Sequence, residues 1–173
     1  MKPPVSRLET PSPLTVTFEA VMPAAMAVLA EESGIKRASL DPMVSLVLSV
    51  LAGAFVAFGA IFATTVLAGT TTTFTADGTL ASSAVLPYGI GRLLAGLAFC
   101  VGIIAVIIAG AELFTGNNLI VMAWASGKVT TSALMFNWVL VLTGNCVGAI
   151  LTAGLMFLTT QYTFGGGAVG RLP

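Results

Sequence analysis

The chain has 173 residues, of which 57% are hydrophobic and 8% charged, and its mean hydropathy is +1.01. That composition belongs to an integral membrane protein and excludes an ordinary soluble domain. Seven basic residues balance seven acidic ones and histidine is absent, so neither a nucleic-acid footprint nor a polybasic lipid patch is present.

Residues 1–41 read as a cytoplasmic amino-terminal segment. No signal peptide is predicted, because the first apolar stretch, Met22 to Ala30, is short and follows Glu9, Pro11, Pro13 and Glu19. Pro23 suits a helix start and Gly34 a helix end. Between them Met26, Val28 and Leu29 give way to Glu31 and Glu32, which predicts a short amphipathic helix lying against the membrane or a neighbouring subunit.

Charge is absent from Val44 to Ala68, from Leu93 to Ala111 and from Val129 to Gly170. Each run can cross a hydrocarbon core of ~30 Å, which takes about 20 helical residues. The runs are continuous rather than alternating, so they predict an all-α bundle and not a barrel. Spans are expected at about 44–68, 88–111 with 119–127 after an interruption, and 132–159, together forming a transmembrane unit over 42–162. Residues 163–173 read as a glycine-rich tail.

Lys36 and Arg37 precede the first span, whereas the connection from Gly69 to Leu86 carries Asp77 as its only charge. The positive-inside rule then places the amino terminus and Lys128 in the cytoplasm, with Arg92 and Arg171 outside. Thr70 to Thr73, Thr75 and Asp77-Gly78 predict a solvated, turn-rich connector. Gly144 with Gly148, and Gly53 with Ala57, mark faces where helices approach closely. Asn137 and Asn145 are expected to hydrogen-bond between helices, Trp138 to anchor at the interface, and Cys100 and Cys146 to serve as small packing residues.

Glu112 is the one acidic residue within the second apolar region, and Gly116, Asn117 and Asn118 follow it closely. A charge at bilayer depth costs roughly 2.5 to 3.5 kcal/mol on insertion scales, so it faces a cavity, a partner or a transport path. Two readings stand. In one, the span ends at Ala111, Glu112 lies at the surface, and Leu119 to Ala125 is an interfacial segment anchored by Trp124. In the other, the helix breaks near Gly110 within the membrane and restarts at Leu119. Irregular backbone at that depth must line a cavity, and the restarting helix would offer free N–H groups to an anion.

From Pro23 to about Tyr162 the chain resembles the first half of the formate/nitrite transporter family. The resemblance rests on several ordered blocks: Pro23-Ala24-Ala25-Met26-Ala27, Ala30-Glu31-Glu32-Ser33-Gly34, Gly110-Ala111-Glu112-Leu113-Phe114-Thr115-Gly116-Asn117, Ala123-Trp124-Ala125-Ser126-Gly127-Lys128, Asn137-Trp138 and Gly144-Asn145-Cys146-Val147-Gly148-Ala149. It implies an aquaporin-like bundle of six spans per subunit, a pentamer with one pore per protomer, a second span broken by a pore loop, and passage of small monovalent anions such as formate or nitrite through the lipid bilayer. Leu113, Phe114 and Thr115 match loop residues that line the path, and Phe99 and Ile103 match a hydrophobic constriction. Glu112, Gly116 and Asn117 match residues that shape the loop, Glu112 as an anchor rather than as a contact for the anion.

The resemblance covers the first of two inverted repeats, so the chain reads as half of a transporter. The alternative expectation is a truncated, non-transporting subunit that joins full-length homologues or pairs with itself. No enzyme is predicted: histidine is absent, the cysteines lack ligand spacing and Glu112 has no second carboxylate near it in the sequence. No cofactor, metal or nucleic-acid partner is expected.

Overall fold

A computed structural model describes residues 23–70, 73–74, 80–82 and 86–171. Helix α1 (Pro23–Ala38) leads through a tight turn into α2 (Pro42–Thr70), and a two-stranded antiparallel ladder, β1 (Thr73–Phe74) with β2 (Leu80–Ser82), follows. Then come α3 (Tyr88–Ile108), two short helices α4 (Phe114–Asn117) and α5 (Ile120–Ala125), the long α6 (Thr131–Leu158), a 3₁₀ turn (Gln161–Thr163) and α7 (Ala168–Arg171). Among the described residues, α2, α3 and α6 are long and apolar enough to cross a membrane.

Local chemistry accounts for the ends of these helices. Asp41 accepts the N–H groups of Met43 (2.9 Å) and Val44 (3.3 Å), and Pro42 opens α2 where no donor is needed. Thr130 caps α6 by accepting the Ala133 N–H. At the end of α3, Gly110 takes φ +61°; its N–H donates to the Ile107 carbonyl and the next N–H, of Ala111, to Val106. The end of α5 repeats this pattern at Gly127 (φ +74°), with bonds to Trp124 and from Lys128 to Ala123. Both are helix stops that a left-handed glycine permits. They bracket the segment that carries α4 and α5.

Helix α2 is the packing centre, because small residues admit a neighbour on two of its sides. Toward α6, a Cβ on Gly144 would collide with Ser49, one on Gly148 with the Val50 carbonyl, and one on Gly53 with the backbone of Asn145. Toward α3, Gly102 faces the Phe55 carbonyl and lies against Gly59. Ala52, Val106 and Ala111 form a small buried core under Phe55, Val56 and Leu113. Outward faces of α3 and α6 carry exposed large apolar side chains, as a bilayer or a further helical layer requires.

Three sequence expectations change, and Trp138 gains a partner. Gly34 does not end α1; it is buried inside the helix, where a side chain would meet the Leu119 carbonyl at 2.9 Å. Trp138, near the start of α6, is half-buried, and its indole N–H donates to the Asn117 carbonyl at 3.3 Å. Cys100 and Cys146 are free thiols exposed on α3 and α6 instead of packed between helices. The glycine-rich tail contains α7, whose Ala168 and Val169 are buried and which packs on α2. The connector contains the β1–β2 pair; Asp77-Gly78 lie outside the described residues.

Candidate functional site: the break after α3

Beyond Gly110 the chain leaves the helix and must find new partners for its backbone, since unpaired polar groups cost roughly 2 to 7 kcal/mol each when buried, and Ala111, Glu112 and Asn117 are buried. Two other elements supply them, and a third binds the side chains of the segment. From α2, the Leu48 carbonyl accepts the Glu112 N–H at 3.3 Å. From α6, the Asn145 side chain donates to the carbonyls of Glu112 (3.0 Å) and Ser49 (2.8 Å) and accepts the Phe114 N–H (2.9 Å). From α1 comes Arg37.

The Arg37 guanidinium forms a 3.0 Å ion pair with the buried Glu112 carboxylate. The same nitrogen, Nη1, donates to Asn117 Oδ1 at 2.8 Å. Asn117, fully buried, donates in turn to Asn137 Oδ1 at 2.8 Å, and the Asn137 amide returns to the Arg37 carbonyl at 3.4 Å. The ring therefore closes on the residue where it began. A buried network in which each amide is used on both sides holds one arrangement of its members. Phe114 completes the floor, edge-on to Trp138 with ring centroids 5.9 Å apart.

Beside this network lies a recess of about 270 Å³ lined by Arg37, Ile103, Val106, Leu113, Thr115 and Gly116, among others. The structure thus gathers Ile103, Leu113 and Thr115, three of the five residues expected along a path. Phe99 and Phe114 do not line this recess: Phe99 lies one turn before Ile103, where its carbonyl meets Gly59, and Phe114 packs on Trp138. Among the described residues the Thr115 hydroxyl has no protein hydrogen-bond partner, and the side-chain hydrogen bonds of Arg37 all leave from Nη1. Donors thus stand at the edge of a mostly apolar cavity.

Sequence reasoning read Arg37 as a topological charge and did not connect it with Glu112, 75 residues away. No local signal could have paired them. Asn145 was placed between helices, which the bond to Ser49 bears out, but its grip on residues 112–114 was not foreseen.

At the same end of the bundle a second ion pair joins Lys128 to Glu31 at 3.0 Å, fastening α1 to the turn between α5 and α6. The neighbouring Ser126 hydroxyl and the Lys128 ammonium hold the Glu31 carboxyl below its ordinary range. At the other end Arg92 lies over the Tyr88 ring, 5.2 Å from its centroid.

The sequence model of the family described as formate/nitrite transporter matches residues 24–171. Formate channel FocA of Escherichia coli K12 is 37% identical over 153 residues, covering 88% of this chain and 49% of that protein. Formate-nitrite transporter 3 of Toxoplasma gondii is 36% identical over 123 residues, covering 70% of this chain and 23% of that protein. A solved pentameric formate channel with formate bound superposes with a TM-score of 0.63 at 36% identity, covering 75% of this chain and 46% of that one. The chain thus spans about half the length, or less, of the relatives it matches. It belongs to the formate/nitrite transporter family.

Proposed function

We propose that this protein forms part of a channel or transporter for small monovalent anions, formate or nitrite, in an aquaporin-like, pentameric assembly. In this reading the segment from Ala111 to Asn118 is the pore loop, Leu113 and Thr115 line the path with Ile103, Phe99 and Phe114 narrow it, and Glu112, Gly116 and Asn117 shape the loop. The observation that carries it is the recess at the helix break, where Arg37 and the Thr115 hydroxyl stand among apolar walls. Because Arg37 is paired with Glu112, the recess offers hydrogen-bond donors with little net charge. Donation with little net charge lets an anion enter and leave again, which conduction requires.

An orientation with α1 on the cytoplasmic side of the cell's inner membrane is part of this reading. Lys36, Arg37 and Lys128 cluster with α1 and the α5–α6 turn, as the Glu31–Lys128 pair requires, while Arg92 and Arg171 belong to the opposite end. That charge bias supports it.

The test is anion uptake by the native protein, isolated from its own membranes and reconstituted in proteoliposomes. Uptake of labelled formate or nitrite well above that of empty vesicles supports the proposal. Uptake no faster than in empty vesicles rejects it, and uptake seen only when a longer homologue co-purifies makes the chain an accessory subunit.

A further inference from the structure

Asn145 does more than join two helices. Leu113 is extended (φ −98°, ψ 134°), and in extended backbone the preceding C=O and the following N–H point to the same side. The Asn145 side chain meets both: Nδ2 donates to the Glu112 carbonyl at 3.0 Å, and Oδ1 accepts the Phe114 N–H at 2.9 Å. It pairs with the loop as a neighbouring strand would, straddling Leu113. The carbonyl of Leu113 points elsewhere and accepts the N–H groups of Gly116 and Asn117 at 2.9 and 3.1 Å.

The second Nδ2 hydrogen serves the Ser49 carbonyl of α2 at 2.8 Å, so the amide has no spare donor. Its own place is set by the absence of side chains around it, because Gly144, Gly148 and Gly53 bring α2 and α6 into backbone contact at this level. Helix spacing, the amide and the conformation of Leu113 are therefore one rigid chain of contacts ending in the recess that Leu113 lines.

We infer that Asn145 is the positioning residue for anion selection: by gripping the backbone on either side of Leu113, it fixes how far that side chain and Thr115 narrow the passage. The inference rests on the transport reading proposed above. It requires an amide of this length, since aspartate lacks the donors, glutamine is one methylene longer, and serine cannot span both bonds.

The experiment compares formate with the bulkier acetate in proteoliposomes of the wild-type protein and of Asn145→Ser. Wild-type formate uptake tests the transport reading alone; given that uptake, the acetate-to-formate ratio tests Asn145. With oligomer size unchanged on gel filtration, the ratio should rise about tenfold in Asn145→Ser, as loss of one or two hydrogen bonds from a constriction implies. It should stay at the wild-type value in Thr143→Val, whose hydroxyl bonds only to Val139 of its own helix. An unchanged ratio in an assembled Asn145→Ser protein overturns the inference. Should that variant not assemble, amide exchange on the wild-type protein decides: slow exchange at Phe114 upholds the grip, and exchange as fast as in an open loop overturns it.

Discussion

Arg37, in the last turn of α1, and Glu112, just past α3, form a 3.0 Å ion pair in which the arginine contributes a single nitrogen that Asn117 shares. Removing Arg37 strands the buried Glu112 carboxylate, which costs about 3 to 5 kcal/mol in comparable pairs, whereas removing Glu112 leaves a guanidinium that is 29% exposed. Arg37→Met should therefore lower the thermal midpoint of the detergent-solubilised protein sharply, and Glu112→Gln should lower it less, while both leave the order of preferred anions as it was. A changed anion order with an unchanged midpoint would refute the anchoring role of Glu112. Because one point donor serves both oxygens, Arg37→Lys should keep most of the stability that Arg37→Met loses.

Close packing of α2 on α6 predicts a contrast between two glycines of the same helix. A methyl at Gly148 would collide with the Val50 carbonyl, and Gly148→Ala should cost about 1 to 3 kcal/mol. Gly154 has no atom of the described chain within 4 Å of its added Cβ, so Gly154→Ala should be neutral or stabilise α6 by about 0.5 to 1 kcal/mol. Parallel thermal melts test the pair.

The left-handed glycine at the end of α3 predicts a different ranking. Nothing crowds Gly110, so backbone conformation alone decides its replacements. Gly110→Asn should be tolerated better than Gly110→Val, by about 1 kcal/mol or more, because asparagine visits this region and a β-branched residue resists it. The measurement is the yield of folded oligomer together with its melting temperature.

Acidification should loosen α1. The Glu31 carboxyl is held below its ordinary value of 4.5 by the Ser126 hydroxyl and Lys128, so its stabilising contact is complete above that value and is lost as pH falls through the lower folded value. Amide exchange of α1 should accelerate as pH falls below 4.5, beyond the intrinsic effect of pH, and Glu31→Gln should abolish that difference. An equal pH response in wild type and variant would show that Lys128 does not hold the helix.

The three spans were legible because an unbroken apolar run is a one-dimensional signal that needs no partner to be recognised. Gly110 and Glu112 likewise announced the end of α3, since a left-handed stop and a charge are both out of place in a continuing apolar helix. Gly34 was misread because a buried glycine and a terminal glycine look alike in sequence; Leu119, 85 positions later, makes the difference. The partner of Trp138 was hidden for the same kind of reason, being the Asn117 carbonyl on a segment whose path no periodicity describes. What could be read was local. The tie between α1 and the break, and the amide that grips it, exist only once distant parts of the chain have met.

The grip of Asn145 on residues 112–114 also has a consequence for biosynthesis. The ribosome delivers Glu112 and Phe114 some thirty residues before the side chain that satisfies them. Until α6 settles on α2, the nascent chain beyond α3 carries a carboxylate and a non-helical stretch of backbone whose α6 partner has not yet been made. Arg37, already synthesised, can neutralise the charge during that interval, whereas the backbone must wait. Helix α6 is thus the element that commits residues 112–114 to their final shape, and arrest of translation before Asn145 should leave them open to proteases or water-soluble labels.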